Sequence, residues 1–343
     1  LGDVYKRQRM YRQTSARTNG RTTSVKPLTP TIMSGINLTI ESRGKIKGAY
    51  FPLQISLPHD ATLGVLKNGI ANLVPSLPVS RQRLSDQQKR PLLGDEKRLS
   101  DLGVENVATL TLKDLGPQIS WRTVFLVEYA GPLVIHPLIY LGAPLLWARF
   151  GYPFSMSFVQ TTVFVLVMAH FLKRELESVF VHRFSNATMP AFNIVKNSTH
   201  YWLLSGLVLG GGVYSPSLGV EAVRGTVRDN HAFIWFFVLL WLLSELGNFR
   251  AHITLMNLRP KGTRVRQIPR GGAFELVSCP NYFFEALSWF AITAMTLSLS
   301  ALIFLVVSSV QMTLWAIKKH KNYRKEFGDQ YPRQRKIMYP YVF

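Results

Sequence analysis

The residues best equipped for chemistry stand where a polar cluster meets a long apolar run. Ser278-Cys279-Pro280-Asn281-Tyr282-Phe283-Phe284-Glu285 opens a stretch whose only charge, up to Ile317, is Glu285. A glycine turn, Ile268-Pro269-Arg270-Gly271-Gly272-Ala273-Phe274, precedes it, and a tail with His320, Tyr323, Phe327, Tyr331, Pro332 and Arg335 follows. Such a cluster, with a basic-aromatic tail behind it, could clamp a phosphate-bearing cofactor at a membrane surface. Two further groups sit in or beside apolar sequence. Glu128 lies in Glu128-Tyr129-Ala130-Gly131-Pro132, and Lys173-Arg174-Glu175-Leu176-Glu177 closes a second apolar segment. Lys173 and Glu177, four residues apart, share a helical face.

Ionisable groups at membrane depth are costly, which makes them functional candidates. Each also has a structural reading. Lys173 and Arg174 could snorkel to an interface, and position alone favours Tyr282 as a belt aromatic. Glu128 is harder to dismiss, because a carboxylate inside an apolar span needs a partner or a proton.

Positioning these residues falls to apolar segments. They run over 124–147, 154–172, 201–214, 232–246 and 282–317. A span needs roughly 20 residues at about 1.5 Å each, so the last run is too long for one crossing and Ser298-Leu299-Ser300 suits a tight hairpin. That predicts about six spans. The chain has 40 Lys and Arg against 19 Asp and Glu, a net charge of +21. The basic residues gather between Arg250 and Arg270 and after Ile317, whereas the 215–231 connector is balanced. Counting basic loops as cytosolic places both termini on that side. Topology thus accounts for most of the charge, and no nucleic-acid partner is expected.

Ahead of the apolar part, 36–119 reads as soluble. Ile36-Asn37-Leu38-Thr39-Ile40 alternates as a strand does. Gly44 and Gly48 flank a turn into 50–57, and Asp60 stands where an N-cap would, before Leu63, Leu66, Ile70 and Leu73. Short segments follow around 82–84 and 108–112. This order is that of a β-grasp, and Leu92, Leu99 and Leu102-Gly103 resemble the ubiquitin-like pattern. Domains are therefore expected at 33–119 (ubiquitin-like) and 120–343 (membrane catalytic), after a basic arm or non-native extension at 1–32. The native start is expected at Met33 or Met10. Cys279 is the one cysteine, so no disulfide framework exists. No His-Glu-x-x-His or Gly-x-Ser-x-Gly spacing occurs, and no metal is expected. Gly210-Gly211-Gly212 suits close helix packing better than a phosphate loop.

Taken together, the turn, the Asn281–Glu285 cluster and the tail resemble the steroid 5α-reductase superfamily. The Asn-Tyr-Phe-Phe-Glu version resembles its very-long-chain trans-2-enoyl-CoA reductase branch, which also carries a ubiquitin-like domain. The resemblance implies a multi-pass enzyme of the endoplasmic reticulum that reduces long-chain trans-2-enoyl-CoA with NADPH, among other fatty-acid elongation enzymes and membrane lipid. It implies Tyr282 as acid, with Lys173, Glu128 and Glu177 needed for activity. Cofactor contacts carry over onto Arg174, Asn248, Arg259, Asn281, Glu285, Trp289, His320, Tyr323 and Arg335. His252 departs from the steroid reductases, which tend to have an acid there. The chemistry is consistent: a phenol with pKa near 10 can donate a proton if a cation stabilises the phenolate, and Lys173 or Arg174 could be that cation. Hydride must come from a cofactor. No Gly-x-Gly-x-x-Gly follows a strand, so no Rossmann domain is implied. Alternatives are a 4-ene-3-oxosteroid reductase, a membrane methyltransferase using S-adenosylmethionine, and a non-catalytic scaffold that recruits partners through the ubiquitin-like domain.

Overall fold

The computed structural model describes residues 35–183, 188–258 and 267–343. The arm at 1–32 and both candidate start methionines, as well as Arg259, lie outside them. The described residues form two compact units, one of 35–74 and 84–112, the other of 75–83 and those from 113 onward.

In the first unit, strands β1 (Ile36–Ser42) and β2 (Leu53–Leu57) pair antiparallel with Ile36 opposite Leu57. Helix α1 (Leu63–Leu73) follows, then β3 (Gln82–Ser85) and β4 (Thr109–Asp114). The sheet order is β2-β1-β4-β3, and β1 runs parallel to β4. An antiparallel hairpin, a helix and a central parallel pair is the β-grasp topology. Alternation buries Ile36, Leu38 and Ile40 on one face, and α1 buries Leu63, Leu66 and Ile70. The N-cap is Thr62 rather than Asp60. The Thr62 hydroxyl accepts from the Val65 amide at 3.3 Å, a reach that Asp60, two residues earlier, lacks. The boundary between the units falls within β4, after Leu112, and 113–119 group with the second unit. There β5 (Gln118–Ser120) pairs antiparallel with β6 (Thr188–Pro190).

The second unit is helical: α2 (Trp121–Arg149), α3 (Phe158–Phe180), then α4 (Asn193–Ser198), which passes through a π-helical stretch, Thr199–Leu209, into α5 (Gly210–Val213). A short α6 (Val220–Val223), α7 (His231–Asn257), α8 (Pro280–Thr296) and α9 (Leu299–Phe327) complete it. Ser120 caps α2 by accepting from the Thr123 amide, and Ser157 and Gln160 form a capping box on α3. The break at 297–298 falls where the serines predict it: Leu297 adopts the left-handed conformation (φ 50°) and α9 restarts at Leu299. Among the described residues, three helical stretches are long and apolar enough to cross a membrane: 121–149, 231–257 and 299–330. These fit a helical membrane protein.

Small residues let these helices approach closely. A Cβ added at Gly131 would lie 1.9 Å from Trp202, and one at Gly247 would lie 2.7 Å from Phe284. Gly212 faces Ser300, 2.2 Å from such a Cβ, so the triple glycine serves packing at that position. Pro132 interrupts the α2 ladder, and the Trp202 indole donates to the nearby Val127 carbonyl at 2.9 Å.

Candidate functional site

Three helical stripes converge in the second unit. On α3, His170, Lys173, Arg174 and Glu177 recur at i, i+3, i+4 and i+7 and so share one face. On α7 the same logic aligns Glu245, Asn248 and His252, and on α8 it aligns Asn281, Glu285 and Trp289. Helix α7 packs along α8, and α3 packs against both. Polar side chains that would be isolated on any one apolar helix therefore meet in one cluster.

The cluster is closely wired. Lys173 Nζ donates to Glu245 Oε2 and to Asn248 Oδ1, both at 2.7 Å, and lies 3.7 Å from Glu177 Oε1. The Asn248 amide nitrogen donates to the Asn281 carbonyl at 2.9 Å and to Glu285 Oε2 at 3.1 Å. His170 bridges two carboxylates, with Nδ1 2.8 Å from Glu245 Oε1 and Nε2 3.2 Å from Glu285 Oε1. Arg174 donates from NH1 to Glu177 Oε2 at 3.0 Å and from NH2 to the Tyr129 hydroxyl at 2.8 Å. The geometry thus brings together Lys173, Arg174, Glu177, Asn248, Asn281 and Glu285. Breaking a buried pair by removing one partner costs roughly 3–5 kcal/mol, so these residues hold one another in place.

The other candidates are placed differently. Glu128 is buried one residue before Tyr129, and among the described residues no hydrogen bond ties it to Lys173 or Glu177. Its Oε2 has no hydrogen-bond partner, nor does Arg174 Nε. Trp289 is buried edge-on against His170, with ring centroids 4.9 Å apart, and packs on Phe304. The cation over the Tyr282 ring is Lys319 of α9, 4.7 Å from the centroid, and among the described residues no hydrogen bond joins the phenol to Lys173 or Arg174. This replaces the expectation that Lys173 or Arg174 would serve the phenol. The reason is helical phase, since Tyr282 stands one residue past Asn281 and about 100° round from it.

The tail forms a second cluster. Ser278 Oγ lies 2.6 Å from both His320 Nδ1 and the Tyr331 hydroxyl, and Tyr323 stacks on Tyr331 at 5.5 Å. Arg335 donates to the Pro269 carbonyl at 2.9 Å and to Glu275 Oε2 at 3.1 Å, and its side chain is 0% exposed. The Gly271 amide and Arg335 together hold the Glu275 carboxyl below the usual carboxylate range. Arg335 therefore ties the tail to the glycine turn and has both terminal nitrogens engaged by protein. Cys279 is buried at the start of α8 and fills space there.

Sequence reasoning passed over His170, Glu245, Tyr129 and Lys319. Glu245 was open to the argument applied to Glu128, being a carboxylate within an apolar stretch. His170 shares the Lys173 face. Tyr129 and Lys319 carry no such signal and emerge only from packing.

Buried carboxylates and cations inside apolar helices, in a chain with a β-grasp unit, define the class: a helical membrane protein with a polar site enclosed by its helices. Residues 187–343 match the family model described as 3-oxo-5-alpha-steroid 4-dehydrogenase. The very-long-chain enoyl-CoA reductase of Dictyostelium discoideum is 41% identical over 84% of this chain and 94% of its own length. A Schizosaccharomyces pombe protein named as an enoyl reductase is 45% identical, covering 89% of this chain and 99% of its own. The human trans-2,3-enoyl-CoA reductase-like protein is 30% identical over 82% of this chain and 77% of its own length. The chain belongs to the very-long-chain enoyl-CoA reductase family. A solved ubiquitin of Caldiarchaeum subterraneum, 24% identical over 23% of this chain and 92% of its own, gives a TM-score of 0.20. The strand order given above carries the β-grasp assignment.

Proposed function

We propose that the protein reduces trans-2-enoyl-CoA to saturated acyl-CoA with NADPH, as the last step of very-long-chain fatty-acid elongation in the endoplasmic reticulum membrane. The observation that carries this reading is the buried Lys173–Glu245–Asn248–Glu285 network, in a chain 41% identical to a very-long-chain enoyl-CoA reductase. A nicotinamide nucleotide suits the residues present. Glu128 Oε2 and Arg174 Nε are buried polar atoms without partners, which a polar ligand would satisfy. Asn248, Asn281, Glu285 and Arg174 would hold the cofactor, with Trp289, His320, Tyr323, Arg259 and Arg335 as the further contacts the family resemblance implies. When bound, NADPH supplies hydride for the substrate Cβ.

The chain's own residues do the rest. Tyr282 gives the proton to Cα, and Lys319 beside its ring stabilises the phenolate left behind. Lys173 and Glu177 hold the cofactor-binding amide and arginine in register. Glu128 supplies a buried polar group facing the substrate. The test is NADPH oxidation by the purified full chain with a long trans-2-enoyl-CoA, run beside a 4-ene-3-oxosteroid. Oxidation with the thioester alone is expected; turnover of the steroid alone, or of neither, defeats the proposal.

The apolar segments support about six spans, and the charge distribution supports an even number with both termini cytosolic. A glycan acceptor engineered near Gly219 should then be modified in microsomes, while a tag after Phe343 stays accessible to protease from outside. A protected C-terminal tag would reject this topology.

A further inference from the structure

We infer that Glu177, His182 and His252 form a binding site for a transition-metal ion of the Zn2+ type. One ligand atom from each lies within 4.8 Å of the other two. Glu177 comes from α3, His252 from α7, and His182 from the turn just after α3, so no sequence spacing announces them. The contact between Glu177 Oε1 and His252 Nδ1 is the telling one. The atoms are 3.0 Å apart and buried, and they face each other rather than a separate hydrogen-bond partner. Two ligand atoms about 2.0–2.2 Å from a tetrahedral ion stand roughly 3.3 Å from one another. A carboxylate oxygen and an imidazole nitrogen facing each other at that distance are therefore placed as ligands to one ion.

The surroundings suit a divalent cation. Glu177 keeps Oε1 for it, because Arg174 NH1 occupies Oε2 at 3.0 Å and so orients the carboxylate from behind. Lys173, Arg174 and His170 oppose a further positive charge, and the three carboxylates Glu177, Glu245 and Glu285 offset them in the same cluster. Two imidazoles and one carboxylate select a borderline ion such as Zn2+ over Mg2+ or Ca2+, which prefer all-oxygen sites. His182 is half-buried, the most exposed of the three ligands. Three protein ligands leave one position open. On the reading under Proposed function, occupancy would also draw Glu177 away from Lys173 and suppress reduction.

The test uses Zn2+ itself and the full chain in detergent, freed of metal and without substrate. Equilibrium dialysis should find one Zn2+ per chain, with Mg2+ unable to compete. His252→Gln and His182→Gln should each weaken binding by about 100-fold or more, whereas His59→Gln, at an exposed position of the other unit, should not. Thermal unfolding reports whether each variant is folded, and the two histidine variants give independent chances to see the loss. Absence of saturable binding, or binding in both variants as strong as in the unsubstituted chain, overturns the site. Because the readout is binding, a failed reductase assay leaves this result standing, and the reverse also holds.

Discussion

Replacing Tyr282 with phenylalanine should lower kcat by roughly 10²- to 10⁴-fold, the range typical of a lost general acid. The ring remains, so its packing against the Cys279, Ala286, Met312 and Met338 cluster should survive, and membrane insertion with it. NADPH binding should change little, because the hydrogen bonds of Asn281 and Glu285 run to Asn248 and His170 rather than to the phenol. A belt aromatic would predict the opposite, since phenylalanine suits an apolar helix at least as well. The geometry also names the coupled partner. Lys319, with Nζ 4.7 Å from the Tyr282 ring centre, should share the phenol's function. In a double-mutant cycle Tyr282→Phe and Lys319→Met should be less than additive, while Lys319→Arg recovers part of the rate. Near-normal turnover by Tyr282→Phe would move the acid role elsewhere, with Glu128 the first alternative.

The second large effect is expected at Lys173. Lys173→Met removes the cation shared by Glu245 and Asn248 and leaves Glu245, among the described residues, paired only with His170. Stranding a buried carboxylate costs about 3–5 kcal/mol. The lysine is 20% exposed, so water recovers part of that. Loss should therefore appear in three readouts at once: a lower Tm, a raised KM for NADPH through misplacement of Asn248, and a reduced kcat. Glu245→Gln should reproduce much of this pattern, because it breaks the same bond from the other side. Since Lys173 and Tyr282 touch different partners, their defects should be close to additive, in contrast to the Lys319 pair. Strong coupling between Lys173 and Tyr282, or a Lys173→Met enzyme with normal NADPH affinity, would disprove this arrangement.

What could be read from the sequence by itself was whatever depends on local order. The alternation at 36–40 and the spacing of Leu63, Leu66 and Ile70 are one-dimensional patterns, and their strand and helix follow from side-chain direction alone. The Ser298 break is likewise local, as is the Lys173–Glu177 pairing at one helical turn. Even so, capping chemistry moved from Asp60 to Thr62, because a cap depends on which amide a side chain can reach. Only the tertiary structure decided what crosses between helices. Sequence placed Tyr282 beside the α3 cations, but the phase of α8 turns the phenol toward α9 and Lys319. Nothing in its spacing showed that Arg335, a proposed cofactor contact, would also bind the turn at Pro269 and Glu275. His170 and Glu245 stand 75 residues apart, as Glu177 and His252 do, and no spacing rule links them. They meet because buried charge inside apolar helices is stable only when partnered, and packing α3, α7 and α8 together is what supplies the partners.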